Sequence, residues 1–225
     1  MRLLTISDPH GDYAHIPPLV RAAERGGSID AVLIAGDITN FGPDELTYEL
    51  LDLLEPLGCP VLAIPGNCDQ RSILATLDAS KAINLDGALH TIGNVTFAGI
   101  GGSNETPFDT PFERSEDEIG AMLEDLLIRA DQDGGTIVLL SHAPPKNTLD
   151  RIPGGNAGSD ALARAIGKVD LIVCGHIHED QGEMTRQGTR IVNVGQASQG
   201  RSAIITIDEG IEVQFNNIRV PGREL

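Results

Sequence analysis

The sequence predicts an α/β fold in which two β-sheets pack face to face with helices outside. Three observations carry that prediction. Five short apolar runs are bounded by turn residues, helix-like stretches alternate with the first three of them, and hairpin-like strand pairs fill the second half. Runs that are apolar at every position, rather than at every second one, mark strands buried on both faces.

The five runs are Leu3 to Ser7, Ala31 to Ala35, Val61 to Ile64, Thr136 to Ser141 and Leu171 to Cys174. Between the early ones lie helices predicted at Ile16 to Arg25, at Leu46 to Leu54 behind Pro43-Asp44-Glu45, and at Arg71 to Leu77. A longer helix is expected from Ser115 to Ala130. Its Ile119, Met122, Leu123, Leu126 and Leu127 recur at helical spacing and read as a core-facing stripe, and Ser115-Glu116-Asp117-Glu118 suits an N-terminal cap. Further strands are predicted at Ala88 to Ile92, Val95 to Ile100, Gly182 to Arg186, Arg190 to Val194, Ala203 to Ile207 and Ile211 to Phe215, with Gly188 and Glu209-Gly210 as turns.

A chain of 225 residues is sized for one well-buried domain spanning residues 1–225. Only 3% of its residues are aromatic, so the core must be built from aliphatic side chains. The net charge of −17 opposes contact with polyanions, which makes long nucleic acid a poor partner. No run approaches the roughly 18 apolar residues of a membrane span, and Asp8 arrives too early for a signal peptide. A cytoplasmic protein with no membrane partner is the expectation. Cys59, Cys68 and Cys174 are odd in number and widely spaced, which suggests neither disulfides nor a thiolate metal site.

The residues immediately after the five runs decide the chemistry: Asp8-Pro9-His10, Gly36-Asp37, Gly66-Asn67-Cys68-Asp69, His142 and Gly175-His176-Ile177-His178. Strand ends are where open α/β sheets bind ligands, and strands running in parallel would bring these groups to one edge. Asp and His supply oxygen and nitrogen donors for divalent first-row cations, and Asn adds a neutral oxygen. The seven donors Asp8, His10, Asp37, Asn67, His142, His176 and His178 are enough for two ions. Glycines immediately before Asp37, Asn67 and His176 fit a backbone that turns sharply or approaches closely. Ordinary turn chemistry would explain single residues, but not four histidines among seven.

The ordered set DxH, GD, GNxD, H and GHxH, running from Asp8 to His178, resembles the calcineurin-like metallophosphoesterase superfamily. That resemblance implies a four-layer αββα sandwich, two mixed β-sheets flanked by helices. It also implies a dinuclear site, with Asp8, His10 and His178 on one metal, Asn67, His142 and His176 on the other, and Asp37 bridging. Mn²⁺ is the first expectation for both ions, with Fe, Ni²⁺ and Zn²⁺ as the other candidates. Two divalent ions bring four positive charges, of which Asp8, Asp37 and a bridging hydroxide remove three, leaving a local surplus for a small phosphate-ester substrate. The hydroxide is the expected nucleophile, attacking phosphorus in line. The catalytic set implied is Asp37, Asn67, His142 and the residue at position 68.

At position 68 the superfamily commonly carries a histidine that protonates the leaving oxygen; here it is Cys68, as in branches with Gly-Asn-Cys-Asp. A thiol is a weaker proton donor than a positioned imidazolium, which turns the expectation towards phosphodiesters or esters with good leaving groups. Two rival functions stand beside this one. A DNA-repair-type nuclease conflicts with the acidic balance and the lack of a basic, aromatic-bearing extension. A non-catalytic binding protein would be expected to lose donors that are all present here. Outside the blocks, His15 and His90 read as core or surface residues, and Asp12 and Asp69 as turn caps or groups orienting the ligands. The loops at 40–42, 103–112 and 143–158 could shape the site, with Lys146 and Arg151 better read as ordinary loop cations than as phosphate contacts.

Overall fold

Within each central strand, alternate side chains enter different apolar layers. In the computed structural model, which describes residues 1–130 and 134–219, Leu3 and Leu33 join one cluster while Leu4, Val32 and Ile34 join another. Period-two alternation thus persists, but both faces are apolar because both are covered.

The first sheet holds β1 (Arg2–Ile6), β2 (Ala31–Ala35), β3 (Val61–Ile64) and the short β4 (Ile83–Asn84), all parallel. Helices α1 (Ile16–Arg25), α2 (Leu46–Leu54) and α3 (Ile73–Ala79) make the crossovers. The second sheet holds β5 (Leu89–Ile92), β6 (Val95–Ile100), β7 (Thr136–Ser141), β8 (Leu171–Cys174), β9 (Gly182–Arg186) and β10 (Thr189–Asn193), with α4 (Glu116–Ala130) between β6 and β7. The chain then returns to the first sheet as the hairpin β11 (Arg201–Ile207) and β12 (Ile211–Asn217). The strand orders are β12-β11-β1-β2-β3-β4 and β9-β10-β8-β7-β6-β5. The first sheet is antiparallel only on the β11-β12 side and stays parallel out to β4, whereas the second has a parallel centre with an antiparallel strand at each edge, so both sheets are mixed.

Three apolar layers separate four structural ones. Leu3, Leu33, Leu62, Phe97, Leu140, Val173 and Ile205 fill the space between the sheets. Leu19, Val20, Leu50, Leu54, Ile73 and Leu77 cover the first sheet with α1, α2 and α3. Ile119, Leu123 and Leu126 of α4, with Leu162 and Ala165, cover the second. Each fully buried aliphatic side chain is worth about 1.5–3 kcal/mol relative to exposure, which is what the low aromatic content requires of them. This is the αββα sandwich.

Most predicted elements lie within two residues of their observed bounds. Helix α3 starts two residues later than predicted, because Arg71 and Ser72 form the turn that precedes it. The cap of α4 forms as expected: Ser115 N–H and Oγ donate to the Glu118 carboxylate at 2.8 and 2.9 Å, and Glu118 N–H donates back to Ser115 Oγ at 3.2 Å. Strand β4 and the paired two-residue strands Ser103–Asn104 and Glu113–Arg114 are too short to leave a periodic signal. No helix among the described residues is long and apolar enough to cross a membrane.

Candidate metal centre

The five strands that precede the candidate ligands divide three to two between the sheets, and their parallel directions bring the following loops together at one edge of the sandwich. The first two loops zip together beyond the strands. Asp8 N–H donates to Gly36 O at 3.0 Å, His10 N–H to Asp37 O at 2.9 Å and Gly11 N–H to Ile38 O at 3.0 Å. This places Asp8, His10 and Asp37 in the left-handed region, with φ of 56°, 50° and 51°, and His176 joins them at 67°. Such a backbone is unfavourable by roughly 1–2 kcal/mol for each non-glycine residue, so the surrounding bonds hold this strain in place.

The glycines before the ligands serve close approach. A Cβ on Gly66 would lie 2.1 Å from Asp37 Oδ1, and one on Gly175 would lie 1.9 Å from Ser7 Oγ and 2.4 Å from Asp8 Oδ2. Both crowd against ligand side chains, and neither has a positive φ.

All seven predicted donors come together. Asp8 Oδ1 lies 3.2 Å from His178 Nε2 and 3.9 Å from His10 Nε2, and the two imidazole nitrogens are 3.3 Å apart. Asn67 Oδ1 lies 2.9 Å from His142 Nε2, whose ring packs edge-on against His176 at 5.0 Å between centroids. Asp37 stands between the two groups, with Oδ2 3.6 Å from His10 Nε2 and Oδ1 3.5 Å from His142 Nε2. The carboxylates and His142 are fully buried, whereas the side chains of His10 and His178 are 18% and 30% exposed and form the open side.

Electrostatics follow the same division. Burial pushes the Asp37 carboxyl up, but the charge and hydrogen bond of His142 and the charge of His10 overcome it and hold the group below the usual range. Asp8 is lowered for the same kind of reason, burial being outweighed by His178 and His142. For His142, burial is overcome by Asp37 and Asp8, which raise it to about 9, while burial and the charge of His142 lower His176 to about 4. Burial and the Asp37 charge push the Cys68 thiol well up, so it is a neutral S–H.

Residues 1–180 match the family described as calcineurin-like phosphoesterase. The chain belongs to the calcineurin-like phosphoesterase family. A curated relative, the uncharacterized protein MJ1162 of Methanocaldococcus jannaschii, is 37% identical over 193 residues, covering 80% of this chain and 82% of that protein. Among solved structures, TT1561 of Thermus thermophilus is similar at a TM-score of 0.75 and 18% identity, covering 97% of this chain and 99% of that one. A dimetal phosphatase from Danio rerio is similar at a TM-score of 0.73 and 14% identity, covering 96% of each chain. Both share the four-layer fold.

This family of phosphoesterases implies divalent metal ions, and the donor atoms fit them. His142 Nδ1 lies 2.7 Å from Ala35 O, to which it donates, so Nε2 is the atom left facing the site. Asn67 Nδ2 donates to Thr110 Oγ1 at 3.1 Å, which turns its carbonyl oxygen towards that Nε2. Two lone-pair atoms aimed at each other call for a proton or a cation between them. The facing nitrogens of His10 and His178 pose the same demand, and burial lowers His10 while Asp8 and Asp37 raise His178 despite its burial.

Other predicted residues fall on either side of this centre. The buried Asp69 carboxylate turns to the loop backbone: it accepts from Ile38 N–H at 3.0 Å, Thr39 N–H at 2.7 Å, Thr39 Oγ1 at 2.9 Å and Gly66 N–H at 2.8 Å. It thereby joins the loop of Asp37 to the loop of Asn67. Burial and Asp37 raise this carboxyl to about 7 against the pull of those donors. Cys68 Sγ lies within 4.8 Å of ligand atoms of His10 and Asp37. Lys146 pairs with Asp160 and Arg151 with Asp180, so both cations are engaged by carboxylates as ordinary loop residues are. His15 is buried and His90 half-buried in β5. Asp12 accepts from Ala14 N–H at 3.2 Å as a turn cap.

Two contributors gave no sequence signal. Asn193 Nδ2 donates to Ile177 O at 2.9 Å and to Leu149 O at 3.4 Å, and Arg201 donates to His178 O at 2.7 Å. Both brace the His176 to His178 loop from strands with no motif of their own.

Proposed function

We propose that this phosphoesterase hydrolyses small phosphate esters at a centre of two divalent cations, Mn²⁺ first among them, with water as the nucleophile displacing the leaving group in line. The observation that carries the reading is Asp37, whose two carboxylate oxygens face different imidazoles, His142 at 3.5 Å and His10 at 3.6 Å. A carboxylate so placed suits a bridge, with Asp8, His10 and His178 as the remaining donors to one ion and Asn67, His142 and His176 to the other. When bound, the two ions lower the pKa of a water and draw charge from the phosphoryl oxygens.

The chain's own residues set the rest. Cys68 N–H donates to Asp37 Oδ1 at 2.8 Å and keeps the carboxylate oriented. Ala35 O fixes the tautomer of His142 through Nδ1. Cys68 occupies the motif position at which the resemblance puts a protonating imidazole, and a thiol is a weaker general acid than an imidazolium for a departing oxygen. Substrates whose leaving groups depart as stable anions, aryl phosphodiesters among them, suit such a site. The net charge of −17 favours small substrates over long nucleic acid, and nothing in the reading calls for a membrane.

The test is hydrolysis of bis(p-nitrophenyl) phosphate with and without added Mn²⁺. Activity should require metal, and Asp37→Asn should lower kcat/KM by about 10²- to 10³-fold or more. Full activity in Asp37→Asn would sink the reading. Cys68→His probes the leaving-group step: turnover of an alkyl phosphodiester should rise by about 10²-fold, towards what general acid catalysis typically supplies, while the aryl ester gains little. Equal gains on both esters would remove leaving-group protonation from the account.

A further inference from the structure

We propose that Phe41 and Phe108 form the contact surface for the substrate's leaving group, and that this group is a planar aryl or heteroaryl ring. The inference rests on the phosphoesterase reading and gives it a substrate class.

The chain has seven aromatic residues, five Phe and two Tyr, and places two of those Phe on the surface. Phe41 is 55% and Phe108 81% exposed. A single exposed apolar residue is ordinary, so exposure alone decides nothing. What distinguishes these two is where their loops are fastened. Phe41 N–H donates to Cys68 O at 2.9 Å, and Gln70 Nε2 donates to Phe41 O. On the other loop, Asn67 Nδ2 donates to Thr110 Oγ1 at 3.1 Å and Phe112 N–H donates to Asn67 O at 3.1 Å. One loop is therefore tied to Cys68 and the other to Asn67, the adjacent residues that enter the metal centre.

Each loop is also held in shape by a carboxylate. Asp69 binds Thr39 N–H and Oγ1, and Thr39 Oγ1 in turn accepts from Gly42 N–H at 3.1 Å, next to Phe41. Glu113 accepts from the N–H and Oγ1 of both Thr106 and Thr110, and Thr106 Oγ1 accepts from Phe108 N–H at 3.1 Å. Rings on loops fixed in advance bind with little ordering cost. The chemistry at position 68 points the same way from a separate starting point. Cys68 offers no imidazole to a departing oxygen, and an aryl oxide is the leaving group that needs one least. Ring stacking tolerates many ring identities and is worth about 5- to 150-fold in affinity per contact.

The experiment is calorimetric titration of the Mn²⁺-loaded protein with phenylphosphonate, methylphosphonate and hexylphosphonate, none of which is hydrolysed. Wild type and the Ile128→Ala control, whose substitution lies on the outer helix α4, should bind phenylphosphonate about tenfold or more tighter than methylphosphonate. In Phe41→Ala/Phe108→Ala that ratio should fall to within about twofold, with methylphosphonate affinity and metal content unchanged. Phe41 has a φ of 62°, so Phe41→Asn, which tolerates that backbone, is the companion variant and should behave alike. Equal binding of phenyl and methyl ligands, or a ratio that survives the double substitution, overturns the proposal while leaving the phosphoesterase reading standing. Hexylphosphonate binding as tightly as phenylphosphonate overturns the planar-ring claim. If the metal-loaded protein binds no phosphonate at all, the phosphoesterase reading itself fails and this inference fails with it.

Discussion

The two sheets hold their parts of the candidate metal centre by opposite means. On the first, a buried carboxylate gathers backbone donors: Asp69 takes three N–H groups and a hydroxyl from the loops that carry Asp37 and Asn67. On the second, side-chain donors gather the loop's backbone carbonyls: Asn193 of β10 takes Ile177 O and Leu149 O, and Arg201, reaching over from β11 of the first sheet, takes His178 O. The acidic loops of the first sheet are thus fixed from within. The imidazole loop of the second leans on later strands and on Asp8, which accepts from His176 N–H at 3.1 Å. The difference teaches that anchoring is concentrated in one residue on the first side and spread over several on the second, and that the two sides should fail differently when cut.

The largest effect is expected from Asp69→Ala. It leaves four donors without their acceptor in a region closed to solvent, and each such loss costs about 1–3 kcal/mol before water or local movement recovers part of it. A net loss of about 3–5 kcal/mol is expected, read as a fall in Tm, together with weaker metal binding because both loops move. Wild-type stability in Asp69→Ala would mean that the loops hold their shape without the carboxylate and would erase the contrast drawn above.

A smaller effect, on the order of 3 kcal/mol, is expected from pH in the metal-free protein. His142 is raised from the usual histidine value to about 9 by Asp37 and Asp8 acting against its burial. A raised folded value stabilises fully below the unfolded pKa and is lost as pH climbs through the folded one, so stability should fall between roughly pH 6.5 and 9. His178 is shifted in the same direction, and Asp69, raised to about 7, adds a small loss of the same sign at the bottom of the window. The lowered His176 and His10 recover only a few tenths of a kcal/mol each, about RT ln 2, at the bottom of the window, and the lowered Asp8 and Asp37 contribute no change there. A metal held by His142 as proposed would take the place of the proton on Nε2 and should flatten the profile. Thermal melts at the two ends of that window, with and without Mn²⁺, check both statements; a metal-free Tm that rises with pH contradicts them.

The same contrast explains what could be read from sequence. The donors of both sheets were legible because each follows a buried apolar run at once, and chain direction alone then brings them to one edge. The anchor on the first side was half legible: Asp69 sits inside a motif, which marks it out, but its partners Ile38, Thr39 and Gly66 emerge only when two loops meet. Asn193 and Arg201 were silent because no local pattern separates them from other strand-end polar residues, and their targets are backbone atoms, which carry no sequence identity. The glycines are sites of close approach, as their place before the ligands implies, yet the side chains they approach, Asp37 for Gly66 and Ser7 with Asp8 for Gly175, were not legible. The short strands beside Phe112 and the loop bond that Asn67 donates to Thr110 lie below the length at which periodicity exists.

The smallest effect is expected where anchoring is shared. Arg201→Ala removes one charge-assisted hydrogen bond to a carbonyl in a partly buried position, and Asn193 continues to hold the same loop through Ile177 O. A loss of about 1–2 kcal/mol is expected, with the residual cost limited by water reaching His178 O. His178 supplies the more exposed part of the centre, so its displacement should weaken metal binding at that side and spare the pairing of His142 with Asn67, which is buried and fixed by Ala35 O and Thr110. Titrating Mn²⁺ into Arg201→Ala should therefore show one weakened and one unchanged site. Two equally weakened sites would mean that the loops of the two sheets are not held independently, and that the centre responds as one body whichever side is cut.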